Sequence, residues 1–129
     1  MITLLLVDDD PAIREGLAMR LSLENDMQIV GEAESTERAL TLAQQVQPQV
    51  VVLDLGLGRQ DGMAIVPQLA GFSQVVVLTI RDNSLTRTVA HHAGAAAFVG
   101  KSEHPDHLIT IIRRTSTQQS HTAPQGHHA

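Results

Sequence analysis

Five short apolar runs punctuate this chain, each followed by a helix-forming stretch, and that alternation limits the folds open to it more than any other feature. The runs are Ile2 to Val7, Met27 to Glu34, Val50 to Leu53, Val75 to Leu78 and Ala96 to Val99. The first is nearly continuous rather than alternating, as strands are when helices cover both faces of a parallel sheet. Val50 to Leu53 is the strongest of them, being short, β-branched and wholly apolar. Between the runs lie helix signals. Asp10-Pro11 supplies an N-cap and a proline at the first helical position. Ile13, Leu17 and Leu21 recur every four residues and predict one buried stripe. Ser35 caps a second helix carrying Ala39, Leu40, Ala43 and Val46. Helices are also predicted over about Met63 to Ala70, from Ser84 to His92 with a stop at Gly94, and from Pro105 through Leu108, Ile109, Ile111 and Ile112.

Strands alternating with helices imply parallel pairing with right-handed crossovers. Five such units predict a flavodoxin-like doubly wound (βα)5 fold, an α/β fold whose parallel five-stranded sheet has the order 2-1-3-4-5. The 129 residues suit one domain. The boundary is predicted at 1–115, with 116–129, rich in Ser, Thr, Gln, His and Gly, a disordered tail or linker. Aromatic residues are 2% of the chain, so the core must be aliphatic and stacking platforms for bases are lacking. A net charge of −5 without a basic run argues against direct nucleic-acid binding. The absence of cysteine excludes thiol chemistry. The short first apolar run ends in three aspartates and is neither a signal peptide nor a membrane span, so no membrane partner and a cytoplasmic location are expected.

Polar residues cluster just after the strands. Asp8, Asp9 and Asp10 follow the first, Asp54 the third, Thr79 the fourth and Lys101 the fifth. In the predicted topology these ends share one edge, where such a fold binds its ligands. Carboxylates brought that close raise one another's pKa unless a cation compensates. Mg²⁺, which takes a few carboxylates, waters and a phosphate oxygen, meets that need. The set suits phosphoryl transfer to a carboxylate, with Asp54 as nucleophile and Lys101 and Thr79 holding phosphoryl oxygens. Gly56, in the glycine-bearing loop after Asp54, is placed to offer a backbone carbonyl to the metal. Asp10 reads as a helix cap. The histidines His91, His92, His104, His107, His121, His127 and His128 form no catalytic set.

The ordered pieces Leu6 to Pro11, Val51 to Leu55, Asp61-Gly62, Val77 to Thr79, Ala93 to Ala95 and Gly100-Lys101 resemble the receiver domain of bacterial two-component response regulators. The likeness spans about Ile2 to Arg114, and Val30 to Ala33 is similar to receivers of the LuxR/NarL type. The resemblance implies a phosphoacceptor in a His-Asp phosphorelay. Asp54 would be phosphorylated from a partner sensor histidine kinase, and Asp8 and Asp9 would bind Mg²⁺. Thr79 would be the switch hydroxyl, Lys101 the phosphate-binding lysine and Phe98 the switch aromatic. It also implies a downstream output domain or protein, transcriptional regulation, a homodimer as one response to phosphorylation, and no turnover as an enzyme.

Three positions depart from the family pattern. Ile80 stands where a small residue is usual, and its bulk is expected to narrow access to Asp54. Gly58 and Ser102 stand where proline is frequent. Two other readings compete. A phosphatase similar to the haloacid dehalogenase superfamily would use Asp8 as its nucleophile. A pseudo-receiver would bind partners without being phosphorylated.

Overall fold

The computed structural model describes residues 1–56, 62–80, 83–101 and 103–122, with side chains of the last helix described to residue 117. The strands are β1 (Ile2–Val7), β2 (Met27–Ala33), β3 (Val50–Asp54), β4 (Gln74–Thr79) and β5 (Ala97–Gly100). The helices are α1 (Pro11–Ser22), α2 (Thr36–Val46), α3 (Val66–Ala70), α4 (Ser84–Ala93) and α5 (Pro105–Thr122). The strands form one parallel sheet in the order β2-β1-β3-β4-β5, as the alternation predicts.

Period-two alternation divides the core into two layers. Leu5, Val7, Val51, Leu53, Val75 and Val77 face α2, α3 and α4. Leu4, Leu6, Val50, Val52, Val76 and Leu78 face the other way, onto Leu21 of α1 and Leu108, Ile109 and Ile112 of α5. Burial on both faces is why the central strands read as unbroken apolar runs.

Helix ends follow local chemistry. Asp10 caps α1 by accepting from the Ala12 and Ile13 amides, Ser35 caps α2 through the Arg38 amide, and Asn83 caps α4 through the Thr86 amide. Gly94 ends α4 at φ 114°, where a side chain is strained, and a Cβ there would lie 3.1 Å from the Ala70 Cβ.

Three elements differ from the pattern-based expectation. In α1 only Leu21 is buried, while Ile13 is 46% exposed. The first turns of α1 stand off from α5, leaving a groove of about 480 Å³ whose lining includes Ile13, Leu17, Ile80 and Leu108. The stretch from Met63 to Ala70 is a 3₁₀ turn (Gly62–Ile65) followed by the one-turn α3, because Pro67 has no amide hydrogen to give an α-helical bond. The last helix runs on to Thr122, past the expected onset of the tail at 116. Thr115 and Ser116 are buried there, 2% and 8% exposed, so this polar stretch is part of the packed helix. Thr110 and Thr117 donate to the carbonyls of Asp106 and Arg113, satisfying their hydroxyls within the helix.

An ionic network ties α1 to α5. Arg20 pairs with Glu24 and Asp106, each at 2.8 Å. Arg113 pairs with Glu24 at 2.6 Å and Asp26 at 2.9 Å. Arg20 and then Arg113 hold the Glu24 carboxyl below its ordinary 4.5, and Arg113 holds Asp26 below 3.8. A lowered carboxylate pKa contributes stability above the unfolded value, and the contribution is lost as pH falls through the folded one. Arg113→Met should therefore lower the melting temperature by at most a few degrees at neutral pH and low salt. Melting curves in molar salt, or as pH falls below the ordinary values of these carboxyls, should show that deficit shrink.

Candidate functional site

The carboxyl ends of β1, β3 and β4 converge as the topology requires. Asp54 is the last residue of β3, paired in register with Leu78, and Thr79 lies one step beyond on β4. Asp8 follows β1, and its amide donates to the Ala33 carbonyl of β2. Lys101 follows β5, its amide bonded to the Thr79 carbonyl at 2.8 Å, so the lysine is returned to the acidic edge.

Carboxylate oxygens of Asp8, Asp9 and Asp54 lie within 4.8 Å of one another. Asp8 and Asp54 are 3% and 5% exposed, and Asp9 is exposed. Lys101 Nζ sits 3.0 Å from Asp54 Oδ2 and 3.5 Å from Asp8 Oδ2. Three carboxylates against one ammonium leave a net charge of about −2, which fits a divalent, oxygen-liganded cation such as Mg²⁺. Burial pushes the Asp8 carboxyl above its ordinary 3.8, and Asp54 adds to this against the Asp10 amide bond and Lys101. Burial works against the Lys101 ammonium, but Asp54 and Asp8 outweigh it and raise its pKa above 10.5.

Backbone bonds fix the carboxylates. Asp8 Oδ1 accepts from the Asp10 amide at 2.9 Å, and Asp54 Oδ1 accepts from the Gly56 amide at 3.0 Å. The structure thus places the Gly56 N–H, beside its expected carbonyl role, against Asp54. Gly62 lies close against the end of β3: a Cβ there would lie 3.0 Å from the Asp54 carbonyl oxygen and 3.1 Å from Leu55 Cα, closer than a side chain tolerates. Positions Gly58, Asp61 and Ser102 fall outside the described residues.

Thr79 is buried, 1% exposed. Phe98, partly buried, packs against the layer that includes α3 and α4, with the Arg87 guanidinium 4.7 Å from its ring centroid. Ile80 is 81% exposed and lines the α1–α5 groove together with Lys101. The histidines of α4, His91 and His92, are exposed, with ring centroids 6.1 Å apart. His107 Nε2 lies 3.1 Å from Glu103 Oε1.

Two contributors escape sequence reading. Glu103 Oε2 accepts from the Gly100 amide at 2.7 Å, pinning the turn that carries Lys101. Arg14 donates from Nη1 to the Asp8 carbonyl at 2.7 Å and from Nε to Glu32 at 3.2 Å. The available signal for Arg14 is its place one turn after the Asp10 cap, from which a long side chain can reach back along the loop.

The family profile of the response regulator receiver domain matches residues 4–113. The chain is 32% identical over 124 residues to the transcriptional regulatory protein UhpA of Salmonella typhimurium, covering 96% of this chain and 63% of UhpA. It is 27% identical over 117 residues to the nitrate/nitrite response regulator protein NarL of Escherichia coli, covering 88% of this chain and 54% of that protein. The crystal structure of a LuxR-family two-component response regulator from an Aurantimonas species matches with a TM-score of 0.86 and 28% identity, covering 90% of this chain and 85% of that one. The chain therefore spans somewhat more than half the length of these curated relatives.

Proposed function

Because this chain belongs to the response regulator receiver family, we propose that Asp54 is its phosphoacceptor and that phosphorylation of Asp54 switches an output surface. The observation that carries this reading is the buried Asp54 carboxylate, with Lys101 Nζ 3.0 Å away and two further carboxylates within cation-sharing distance.

An Asp54 carboxylate oxygen attacks phosphorus of a phosphohistidine on a sensor histidine kinase. The new O–P bond forms as the N–P bond breaks, and the imidazole leaves with that electron pair. Asp8, Asp9 and Asp54 would hold Mg²⁺, joined by the Gly56 carbonyl. When bound, the ion offsets charge on the phosphoryl oxygens. Lys101, already paired to Asp54, holds one phosphoryl oxygen by a charge-assisted bond. The Thr79 hydroxyl donates to another. One group is accepted per site, so the chain works as a switch rather than by turnover.

Phosphorylation replaces the Asp54 carboxylate charge with a phosphoryl group carrying nearly two negative charges beside Thr79 and Lys101. Movement of Thr79 toward them vacates space for Phe98, whose ring carries no hydroxyl and so acts by packing alone. The surface formed by α4, β5 and α5 changes with it, biasing a two-state equilibrium. The receiver domain takes in the last helix, whose Thr115 and Ser116 are buried, with a polar extension after it. Its output is a downstream domain or protein in transcriptional control, with homodimerisation as one route. A cytoplasmic site of action goes with this role; among the described residues no helix is long and apolar enough to cross a membrane.

Intact mass after incubation with acetyl phosphate and Mg²⁺ tests this: a gain of one phosphoryl group is expected, and an unchanged mass would favour the pseudo-receiver. Ile80, exposed at the groove mouth beside Lys101, is proposed to slow small donors and attacking water. Ile80→Ala should speed acetyl phosphate labelling and loss of the label several-fold. Equal rates in stopped time courses would remove Ile80 from the mechanism.

A further inference from the structure

The loop that carries the metal-binding carboxylates is held from outside by a side chain that touches none of them. Asp8 and Asp10 fix their own segment, Asp8 Oδ1 through the Asp10 amide and Asp10 Oδ1 through the Ala12 and Ile13 amides. Neither bond restrains the carbonyl between Asp8 and Asp9, whose peptide plane sets where Asp9 points. The Arg14 guanidinium does so, with Nη1 2.7 Å from the Asp8 carbonyl oxygen. Its Nε is anchored on Glu32 Oε1 at 3.2 Å, and Glu32 belongs to β2, the edge strand beside β1. The Arg14 side chain is 19% exposed, so the fork is partly shielded from water.

We infer that Arg14, anchored by Glu32, is a positioning residue that presets the Asp8–Asp9 peptide for cation binding, an inference that rests on the function proposed above. A guanidinium suits this task because its planar donors can serve two acceptors in fixed directions, which an ammonium does not do. Arg14 also brings a positive charge toward a cation site, which by itself opposes Mg²⁺. Glu32 neutralises that charge. Geometry and electrostatics therefore act in opposite senses on removal of Arg14, and the sign of the effect separates them.

The test is calorimetric Mg²⁺ titration of the full chain without a phosphoryl donor, with backbone amide shifts of Asp8 and Asp9 recorded before metal is added. Arg14→Gln should weaken Mg²⁺ binding about tenfold, the usual cost of losing an orienting partner, and should shift both amides in the metal-free protein. Arg14→Lys should recover only part of the affinity. Glu32→Gln should weaken binding by leaving Arg14 unanchored and unneutralised. The double variant Arg14→Gln/Glu32→Gln restores charge balance without the brace and should stay as weak as Arg14→Gln. Binding by Arg14→Gln as tight as or tighter than that of the unaltered chain would overturn the inference, as would wild-type affinity in the double variant. A lower metal-free melting temperature with unchanged affinity would also overturn it, marking a purely structural role. Failure of the unaltered chain to bind Mg²⁺ would overturn both this inference and the function it rests on. Normal binding and labelling of the unaltered chain with no Arg14 effect would remove the inference alone.

Discussion

Asp54→Asn should take up no phosphoryl group from acetyl phosphate and Mg²⁺ under conditions that label the unaltered chain fully, while keeping its fold. The chemical reason is that a carboxamide oxygen is too weak a nucleophile to displace a phosphoryl leaving group. The structural reason is that the change is close to isosteric. The carboxamide oxygen of the variant can still accept from the Gly56 amide, a bond of 3.0 Å in the parent chain. The new amide nitrogen meets Lys101 Nζ where Oδ2 now lies at 3.0 Å, so the pair is lost, but Lys101 keeps Asp8 at 3.5 Å. Asp9→Asn is the companion measurement. It leaves the nucleophile in place and removes an exposed carboxylate from the acid set, so it should slow labelling at limiting Mg²⁺ and recover at higher Mg²⁺. Intact mass and peptide mapping read both outcomes. Full uptake by Asp54→Asn, with the label mapped to Asp8, would sink the receiver assignment and favour the dehalogenase-like phosphatase.

The parts of this molecule that the sequence makes legible are those where residue type and position carry the same message. Val50 to Leu53 can be little other than a central strand, and the residues after four strands are polar at the edge where such a fold gathers its strand ends. Asp8, Asp9, Asp54 and Lys101 were readable for that reason, because topology alone brings strand ends to one edge. What stayed hidden depends on side-chain reach or on packing of ambiguous residues. Arg14 looks like any exposed helical arginine, and only coordinates show its Nη1 on the Asp8 carbonyl. Ile13 fits an apolar stripe by spacing, yet α1 and α5 are too far apart at that turn to bury it. Ser116 and Thr117 read as linker by composition, but the Thr117 hydroxyl bonds back to the Arg113 carbonyl, which is compatible with helix, and Ser116 is buried. Such a segment shows composition failing where satisfaction of hydrogen bonds decides.

Asp8→Asn should raise the stability of the metal-free protein and destroy its response to Mg²⁺. Asp8 is 3% exposed, near the Asp54 carboxylate, and burial is the leading reason its pKa lies above 3.8. The sign follows from proton linkage. Well below pH 3.8 the carboxyl is protonated in both folded and unfolded chains, and the variant should gain nothing. As pH rises, the unfolded chain ionises first and folding is increasingly penalised, until the folded carboxyl has also ionised. The gain in Asp8→Asn therefore opens across that window and persists at neutral pH, where a melting-temperature rise of a few degrees is expected. Asparagine keeps an acceptor for the Asp10 amide, which bonds Asp8 Oδ1 at 2.9 Å, so the loop should survive. Adding Mg²⁺ should invert the ranking. At a hundredfold excess over its dissociation constant, a ligand of the native state adds about 2.7 kcal/mol, available to the unaltered chain and largely denied to the variant. Melting curves over a Mg²⁺ series should thus cross, with the variant more stable without metal and the unaltered chain more stable with it. Parallel curves would mean that Asp8 is not a metal ligand. A metal-free variant less stable than its parent would mean that the Asp8–Lys101 contact outweighs the strain of the clustered carboxylates, and that the acidic edge is held together without a cation.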